Sequence, residues 1–338
     1  MAETPADLSG PSINPRSRGF PASAADLTPA VDAATRPALI AVVGPTASGK
    51  SEIALRLALA FDGEIVSADS RQVYRFMDVG TAKPTPEERA AVRHWLIDVV
   101  NPDAEFSLTH YLDLARDALA DIWYRRRTPF LVGGSGQYVW ALLEGWQVPR
   151  VAPDVGLRRS LEERAEREGA DALYRELLAL NSTAAARVDA RNVRRLVRAI
   201  ELQRRSAGVA SREKLQPEFQ PLILAIDRPR AELYRRIDER VDRMLGAGLV
   251  EEVRSLLARG YDAGLPPMSG IGYRQVVRYL QGEMSLAEVA ATMKTETHRV
   301  ARMQSAWFRR DDPRIHWLDA AADPFEQASE LVKERLAR

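Results

Sequence analysis

The chain has 338 residues, of which 46% are hydrophobic, and its formal net charge is +1 at pH 7. This length suggests roughly two domains, and since the sequence has neither a run of about 18 apolar residues nor a secretory signal, we expect a cytoplasmic protein without a membrane contact. The absence of cysteine excludes disulfides, thiolate metal ligands and cysteine nucleophiles. Residues 1–36 mix Pro, Ala, Ser and Asp without periodicity, which predicts a disordered leader.

The following segments alternate between short apolar runs and helical patterns. Residues 38–43, ALIAVV, are continuously apolar, as is typical of a buried parallel strand. Similar runs lie at 64–67, 95–100, 129–132 and 222–226, and helical patterns lie at Ser51–Phe61 and Leu108–Tyr124. The alternation predicts right-handed βαβ crossovers and therefore an α/β fold with a doubly wound parallel sheet.

The alternation stops between Val132 and Leu222. Two charged segments there, Asp154–Leu180 and Asn192–Arg205, have helical patterns, and they predict a helical insertion at 145–218. The insertion would separate the first part of the core, residues 37–144, from the second part, residues 219–325. The remaining predicted elements are helices near Arg230–Ala258, Gly272–Leu280 and Ser285–Arg310, a terminal strand Arg314–Leu318, and a tail at 326–338.

The segment GPTASGKS at 44–51 fits the phosphate-binding (P-loop) pattern G-x-x-x-x-G-K-[ST] and lies between a predicted strand and a predicted helix. We expect its backbone N–H groups and Lys50 to bind phosphates, and Ser51 to ligate Mg²⁺. The loop does not decide whether the phosphates are transferred, hydrolysed or expelled. A conventional NTPase has a second strand ending in Asp, whereas the run at 129–132 is followed by Gly-Gly-Ser-Gly, which weakens that interpretation.

A second polar segment, SADSRQVY at 67–74, follows the second predicted strand. Strand ends of a doubly wound sheet face the ligand crevice, so Asp69 is expected near the phosphate loop. Its carboxylate could accept a proton from an attacking nucleophile, or it could cap the following turn. The sequence alone leaves both roles open.

Six ordered blocks of the sequence resemble the tRNA dimethylallyltransferase family, also called tRNA isopentenyltransferases. The blocks are GPTASGKS, SADSRQVY, MDVGTAKP, LVGGSGQY, SGIGYRQ and THRVARMQSAWFRR. The resemblance implies transfer of a dimethylallyl group from dimethylallyl diphosphate to N6 of the adenosine immediately 3′ of a tRNA anticodon, with Mg²⁺ as cofactor. It implies that Asp69 is the general base and that Thr46 and Arg240 stabilise the departing diphosphate. The implied donor-binding residues are Gly44, Pro45, Thr46, Ala47, Ser48, Gly49, Lys50 and Ser51.

The predicted helix that carries Arg240 has an apolar stripe and a separate basic face. The stripe consists of Leu233, Ile237, Val241 and Leu245, and the basic face of Arg236, Arg240 and Arg243. Solvated surface arginines would give the same pattern.

Contacts with tRNA are expected in two regions. Seven arginines between Arg187 and Arg205 form a candidate phosphate track, although a solvated arginine-rich helix would look the same. The tRNA contacts implied by the resemblance are Asp69, Ser70, Arg71, Gln72, Ser135, Arg158, Arg194, Arg195, Arg198, Gly272, Tyr273, Arg274, Arg302, Gln304 and Arg309.

The block near the C-terminus departs from the family pattern. His298 stands where Arg is common, and Met303 where a basic residue is common; Ser135 replaces Thr but keeps the hydroxyl. Trp307 suits base stacking, yet its spacing from Val300 and Met303 places it on an apolar stripe and favours burial.

Other functions would fit the phosphate loop. An ATP-dependent small-molecule phosphotransferase is the nearest, followed by a nucleotide-switched RNA-binding protein without catalysis. A related enzyme class prenylates free adenine nucleotides, but the basic insertion and the THRVARMQ block favour tRNA. The expected partners are therefore dimethylallyl diphosphate and a tRNA anticodon stem-loop, and the resemblance implies a monomer.

Overall fold

The structure, a computed structural model, describes residues 36–205 and 214–337. The predicted leader lies outside the described residues except for Arg36. Within the described part, six strands form one parallel sheet in the order β3-β2-β4-β1-β5-β6. The strands are β1 (Ala38–Val43), β2 (Gly63–Ser67), β3 (His94–Trp95), β4 (Thr128–Gly133), β5 (Gln220–Asp227) and β6 (Ile315–Asp319).

Both faces of the sheet are covered by helices, which explains why β1 is apolar throughout. Leu39, Ala41 and Val43 pack on one face, and Ile40 and Val42 on the other; all five are fully buried. The first face is covered by α3 (Leu108–Tyr124) and α4 (Gly136–Leu143), and the second by α1 (Lys50–Ala60) and α13 (Phe325–Leu336). The predicted doubly wound α/β fold is confirmed.

The strand expected at 95–100 is wrong beyond its first residue. Only His94 and Trp95 pair with β2, because Leu96 and Asp98 have positive φ angles of 64° and 56° that turn the chain out of the ladder. Val100 forms an isolated bridge with Tyr74 instead. A short helix, α2 (Pro86–Ala91), precedes this segment.

The helices between β4 and β5 have an apolar cluster of their own. They are α5 (Val155–Glu168), α6 (Ala170–Leu180), α7 (Ser182–Ala185) and α8 (Val193–Arg205). The continuous helix expected at Asp154–Leu180 is wrong, because Gly169 has a φ of 82° and separates α5 from α6. Leu173, Leu196 and Ile200 are fully buried within the cluster. The boundaries 145–218 stay a prediction, and residues 206–213 lie outside the described part.

The chain after β5 forms a second helical layer beside the strand ends. Its helices are α9 (Arg230–Gly246), α10 (Leu249–Ala258), α11 (Tyr273–Leu280) and α12 (Leu286–Ser305). Val73, Tyr74 and Met77, which follow Asp69 in the chain, are buried in one apolar cluster with α10, α11 and α12. The segment assigned to a tail forms α13 and buries Ala328 and Val332. Among the described residues, no helix combines the length and apolar character needed to cross a membrane.

Candidate active site

A cavity of about 1340 Å³ opens at the carboxyl ends of the strands. It is lined by the phosphate loop, the segment from Asp69 to Gln72, the segment from Asp78 to Arg89, and the facing sides of α9 and α12. This is the edge of the sheet at which doubly wound folds bind ligands. The parallel sheet thus brings together segments that are far apart in the sequence.

The phosphate loop has the tight backbone that its sequence predicts. Gly44 and Gly49 have positive φ angles of 147° and 101°, and helix α1 begins at Lys50. A Cβ on Gly44 would lie 2.9 Å from Ser48 Oγ, so a side chain there would crowd the loop. Lys50 Nζ donates a hydrogen bond to the Pro45 carbonyl at 3.1 Å, across the mouth of the loop.

Three side chains from distant parts of the chain hold this loop. Gln304 Oε1 accepts a hydrogen bond from the Thr46 N–H at 2.8 Å. Arg236 Nε donates to the Ala47 carbonyl and Arg228 Nε to the Ser48 carbonyl, each at 3.1 Å. No sequence pattern pointed to Arg228, and Gln304 was expected to contact tRNA rather than the loop.

Lys50, Arg240 and Asp69 are electrostatically coupled. Burial and the neighbouring Arg240 guanidinium lower the pKa of Lys50 from 10.5 to about 8, while the Asp69 carboxylate acts in the opposite direction. Burial also lowers the pKa of Arg240, again opposed by Asp69. Within the described residues, the Arg240 side chain has no hydrogen-bond or ion-pair partner, so its donors are available to an anionic ligand.

The Asp69 carboxylate caps a turn and also faces the cavity. Its Oδ1 accepts a hydrogen bond from the Arg71 N–H at 2.8 Å, which is the turn-capping role that the sequence left open. This contact uses one carboxylate oxygen. The other oxygen has no hydrogen-bond partner in the part of the chain that the structure describes, and it is available to accept a proton.

The Gly-Gly-Ser-Gly turn after β4 packs directly on the two neighbouring loops. A Cβ on Gly133 would lie 2.2 Å from the Ala68 carbonyl oxygen, and one on Gly134 would lie 3.0 Å from the Gly44 carbonyl oxygen. Ser135 Oγ accepts a hydrogen bond from the Ser70 N–H at 3.1 Å. The position that an NTPase would give to a magnesium-binding Asp is therefore filled by backbone.

A family model described as IPP transferase matches residues 72–311, most of the chain. The chain belongs to the IPP transferase family. The resemblance stated from the six sequence blocks is confirmed, and the phosphotransferase alternative receives no support.

The similarity to relatives extends over most of the chain of this family member. It is 50% identical over 299 residues to a tRNA dimethylallyltransferase of Roseiflexus sp., covering 88% of this chain and 98% of that protein. It is 54% identical over 274 residues to a tRNA dimethylallyltransferase of Chloroflexus aurantiacus, covering 80% and 93%. Among solved structures, the full-length tRNA isopentenylpyrophosphate transferase of Bacillus halodurans is 35% identical with a TM-score of 0.66, covering 89% of this chain and 97% of that one.

Several residues that the family resemblance assigned to tRNA make internal contacts in this IPP transferase. Gln72 Nε2 donates to the Thr81 and Ala82 carbonyls at 3.4 and 3.2 Å. Tyr273 is 2% exposed and its hydroxyl donates to Glu252 at 2.7 Å, so its side chain is held by the protein's own residues at the wall of the cavity. Gly272, with a φ of 95°, begins α11.

The arginines assigned to tRNA on the helical cluster divide into two classes. Arg158 and Arg198 both pair with Glu201, whose side chain is completely buried. Burial raises the pKa of Glu201, but the hydrogen bonds from these arginines and from the Asp154 N–H outweigh it and lower the pKa to about 2. Arg194 and Arg195 are exposed and make no side-chain ion pair within the described residues.

The remaining assigned arginines have local partners. Arg71 donates to the Pro266 carbonyl at 3.2 Å, and Arg274 to the Ser269 carbonyl at 3.0 Å. Arg302 donates to the Tyr234 hydroxyl at 2.9 Å, and the exposed Arg309 pairs with Asp311 at 2.7 Å. Each of these guanidiniums retains further donors for an RNA phosphate.

The expected burial of Trp307 is wrong. Its ring packs against Gly136, where a Cβ would lie 2.1 Å from the indole Cγ, and its carbonyl accepts a hydrogen bond from Trp140. The residue nevertheless remains 40% exposed. Helix α12 ends at Ser305, so Trp307 lies beyond the helix and does not continue its apolar stripe. Met303, which lines the cavity, is 52% exposed.

Proposed function

We propose that the protein transfers a dimethylallyl group from dimethylallyl diphosphate to N6 of the adenosine immediately 3′ of a tRNA anticodon, and releases diphosphate. The observation that carries the proposal is that a phosphate loop, Arg240 and Asp69 converge on one cavity; in the described part of the chain, Arg240 and one oxygen of the Asp69 carboxylate have no hydrogen-bond partner. Membership of the IPP transferase family, with relatives named tRNA dimethylallyltransferase, supports it.

The phosphate loop would hold the leaving group. As the bond between the allylic carbon and the diphosphate oxygen breaks, negative charge grows on the diphosphate. Lys50, Arg240 and the N-terminal amides of α1 lie where they would stabilise that charge. The Thr46 N–H is occupied by Gln304, so Thr46 would act through its hydroxyl.

Asp69 would act on the nucleophile. N6 of adenine attacks the allylic carbon, the carbon–oxygen bond to the diphosphate breaks, and the amine proton passes to the carboxylate oxygen of Asp69 that the turn leaves unused. An exocyclic amine is a poor nucleophile, so the protein must hold it about 3 Å from the carbon that it attacks. Placement of Asp69 therefore matters as much as its basicity.

Mg²⁺ fits this site only if the phosphate oxygens of the substrate supply part of its ligands. Ser51 is exposed at the start of α1 and lines the cavity, so its hydroxyl would be the protein ligand. Among the described residues, no group of three or more His, Cys, Asp or Glu side chains is placed to hold a metal. Mg²⁺ takes few protein ligands together with phosphate oxygens and water, and when bound it would neutralise part of the diphosphate charge.

A tRNA anticodon loop suits the cavity because its bases are single-stranded. An adenine turned out of the stack costs a few kcal/mol and would reach Asp69 without opening a duplex. The exposed Arg194 and Arg195 on α8 would contact the phosphates of the stem. The proposal includes action as a monomer in the cytoplasm.

Product analysis with two acceptors tests the proposed function. The protein is incubated with dimethylallyl diphosphate and either tRNA or AMP, and prenylated adenosine is identified by mass spectrometry of the digested tRNA and of the nucleotide. We expect product on tRNA and none on AMP. Product on AMP alone, or none on either, would reject the proposal. Thermal stabilisation by dimethylallyl diphosphate but little by ATP would separate transfer from the phosphotransferase alternative.

A further inference from the structure

Glu252, on α10, binds three successive backbone amides of another segment. Its carboxylate accepts hydrogen bonds from the N–H groups of Asp78 and Val79 at 2.7 Å and of Gly80 at 3.1 Å. The Tyr273 hydroxyl donates a fourth hydrogen bond at 2.7 Å. Successive N–H groups that converge in this way form a nest for an anion, and here the anion is a side chain from the helical layer.

Steric contact fixes the same turn from a second side. Gly80 lies flat on the ring of Tyr273, and a Cβ there would lie 2.6 Å from two ring carbons. Tyr273 is itself 2% exposed within the cluster of α10, α11 and α12. The turn at 78–80 is therefore held by the helical layer through both charge and shape.

Residues that follow the turn are hydrogen-bonded to the segment that carries Asp69. Gln72 Nε2 donates to the carbonyls of Thr81 and Ala82, and Gln72 Oε1 accepts from Ser67 Oγ at 3.0 Å. Ser67 and Gln72 stand on either side of Asp69 in the chain. Movement of the turn would thus reach both flanks of Asp69.

A buried lysine, Lys83, holds the turn and the segment after Asp69 together. The Lys83 side chain is 1% exposed, and its Nζ donates to the Tyr74 carbonyl at 2.6 Å, to Asp78 at 2.7 Å and to Asp98 at 2.6 Å. All three ammonium donors are used. Lys83 therefore locks the segment 74–83 and has no donor left for a phosphate.

We propose that Glu252 is a positioning residue for the transfer reaction, which holds the turn at 78–80 and, through Gln72, fixes Asp69 in the cavity. Glu252 is not among the residues that line the cavity, so it would act without touching either substrate. The inference rests on the proposed function in one respect, namely that Asp69 accepts the proton.

The variant Glu252→Gln tests the proposal. A carboxamide nitrogen donates and cannot accept. In the variant, the side-chain NH₂ group therefore faces at least one backbone N–H group that has lost its acceptor. We expect the single-turnover transfer rate to fall on the order of 100-fold, as displacements of about 1 Å far from the chemistry do. The Kd of the donor should change little, because the phosphate loop is held by other residues. Glu251→Gln is the matched control, because Glu251 is 68% exposed and, among the residues that the structure describes, pairs only with Arg254 on its own helix at 3.5 Å.

A double-mutant cycle separates positioning from a general loss of stability. If Glu252 acts through Asp69, Glu252→Gln should cost little further rate in an Asp69→Asn background. Losses that multiply would overturn the proposal, as would a wild-type rate in Glu252→Gln. If Glu252→Gln does not fold, Tyr273→Phe removes one of the four hydrogen bonds and keeps the ring under Gly80; a smaller rate loss is expected, and no loss would overturn the proposal.

Hydrogen exchange tests the connection independently of activity. In Glu252→Gln we expect faster amide exchange across residues 70–83 and unchanged exchange in β1. Unchanged exchange across 70–83 would overturn the inference. A wild-type protein that transfers nothing to tRNA would instead reject the proposed function, and the exchange result would still decide whether Glu252 holds the segment.

Discussion

Gln304 Oε1 accepts a hydrogen bond from the Thr46 N–H at 2.8 Å, which joins helix α12 to the phosphate loop across 258 positions of the sequence. The opposite end of the same amide packs on the Gly-Gly-Ser-Gly turn, since a Cβ on Gly134 would lie 2.8 Å from Gln304 Nε2. One side chain thus sets the spacing between the loop that would hold the diphosphate and the turn that supports Asp69.

We expect Gln304→Ala to weaken donor binding. The substitution leaves the Thr46 N–H without its acceptor and frees the loop, at a cost of about 1 kcal/mol, or roughly a fivefold rise in the Kd of dimethylallyl diphosphate. Isothermal titration calorimetry measures this directly. Gln281→Ala, at an exposed position after α11, is the control and should bind donor as the wild type does. An unchanged Kd in Gln304→Ala would show that the loop is held without Gln304.

Asp69→Asn should remove the proton acceptor and preserve the turn. The asparagine oxygen still accepts the hydrogen bond from the Arg71 N–H, so the local backbone is expected to stay in place. We expect kcat to fall by about 10² to 10⁴, the usual contribution of a general base. Affinity for tRNA, measured by filter binding, should remain close to that of the wild type. Turnover at the wild-type rate would contradict the role of Asp69.

The phosphate loop and its strand were predictable because their signals are local. The apolar run of β1 and the eight-residue motif at 44–51 determine the strand, the turn and the start of α1 without reference to the rest of the chain. The side chains that hold the loop carry no such signal. Arg228, Arg236 and Gln304 are 180, 189 and 258 positions from their partners, and only the fold brings them there.

Other features could not be predicted, because a sequence pattern does not determine the exposure of a side chain or the backbone conformation of a residue. The apolar run at 95–100 satisfies a strand pattern, yet Leu96 and Asp98 adopt left-handed conformations that end the pairing. Tyr273 was grouped with the RNA contacts through the SGIGYRQ block, which gives no sign that the packing of α11 leaves it only 2% exposed. Arg158 and Arg194 both lie in charged helical segments, and the sequence does not distinguish them. Only the structure shows that Arg158 pairs with the buried Glu201.

Donor binding should depend on pH through Lys50. Because the pKa of Lys50 in the free protein is lowered to about 8, the ammonium is present at pH 7 and is lost as the pH rises past 8. The diphosphate binds the ammonium form, so the donor Kd should rise above pH 8, by up to about tenfold per pH unit. Titration between about pH 7.5 and 9.5 checks this, with Lys50→Gln as a weak and pH-independent control. A flat wild-type profile would contradict the assignment.

Arg194→Ala and Arg158→Ala should both weaken tRNA binding, with different effects on stability. Arg194 is exposed and unpaired within the described residues, so its loss should lower the slope of log K against log salt by about 1 and leave Tm unchanged. Loss of Arg158 leaves the buried Glu201 with one guanidinium fewer and should also lower Tm. Filter binding at several salt concentrations and thermal unfolding distinguish the two. Equal Tm values would contradict the structural role of Arg158.

Glu201 should make the helical cluster sensitive to acid. Its pKa is lowered from 4.5 to about 2 in the folded protein, so its contribution to stability is complete above pH 4.5 and is lost as the pH falls from 4.5 towards 2. Removal of one partner of a buried ion pair costs on the order of 3 kcal/mol, and Glu201→Gln should destabilise the cluster by about this amount near neutral pH. Hydrogen exchange of the α8 amides measures it, and the difference from wild type should shrink at low pH. Glu163→Gln, which removes a 54% exposed partner of Arg159, should change exchange by less than about 0.5 kcal/mol at any pH. A Glu201→Gln effect no larger than that of Glu163→Gln would mean that the buried ion pairs contribute nothing to the cluster.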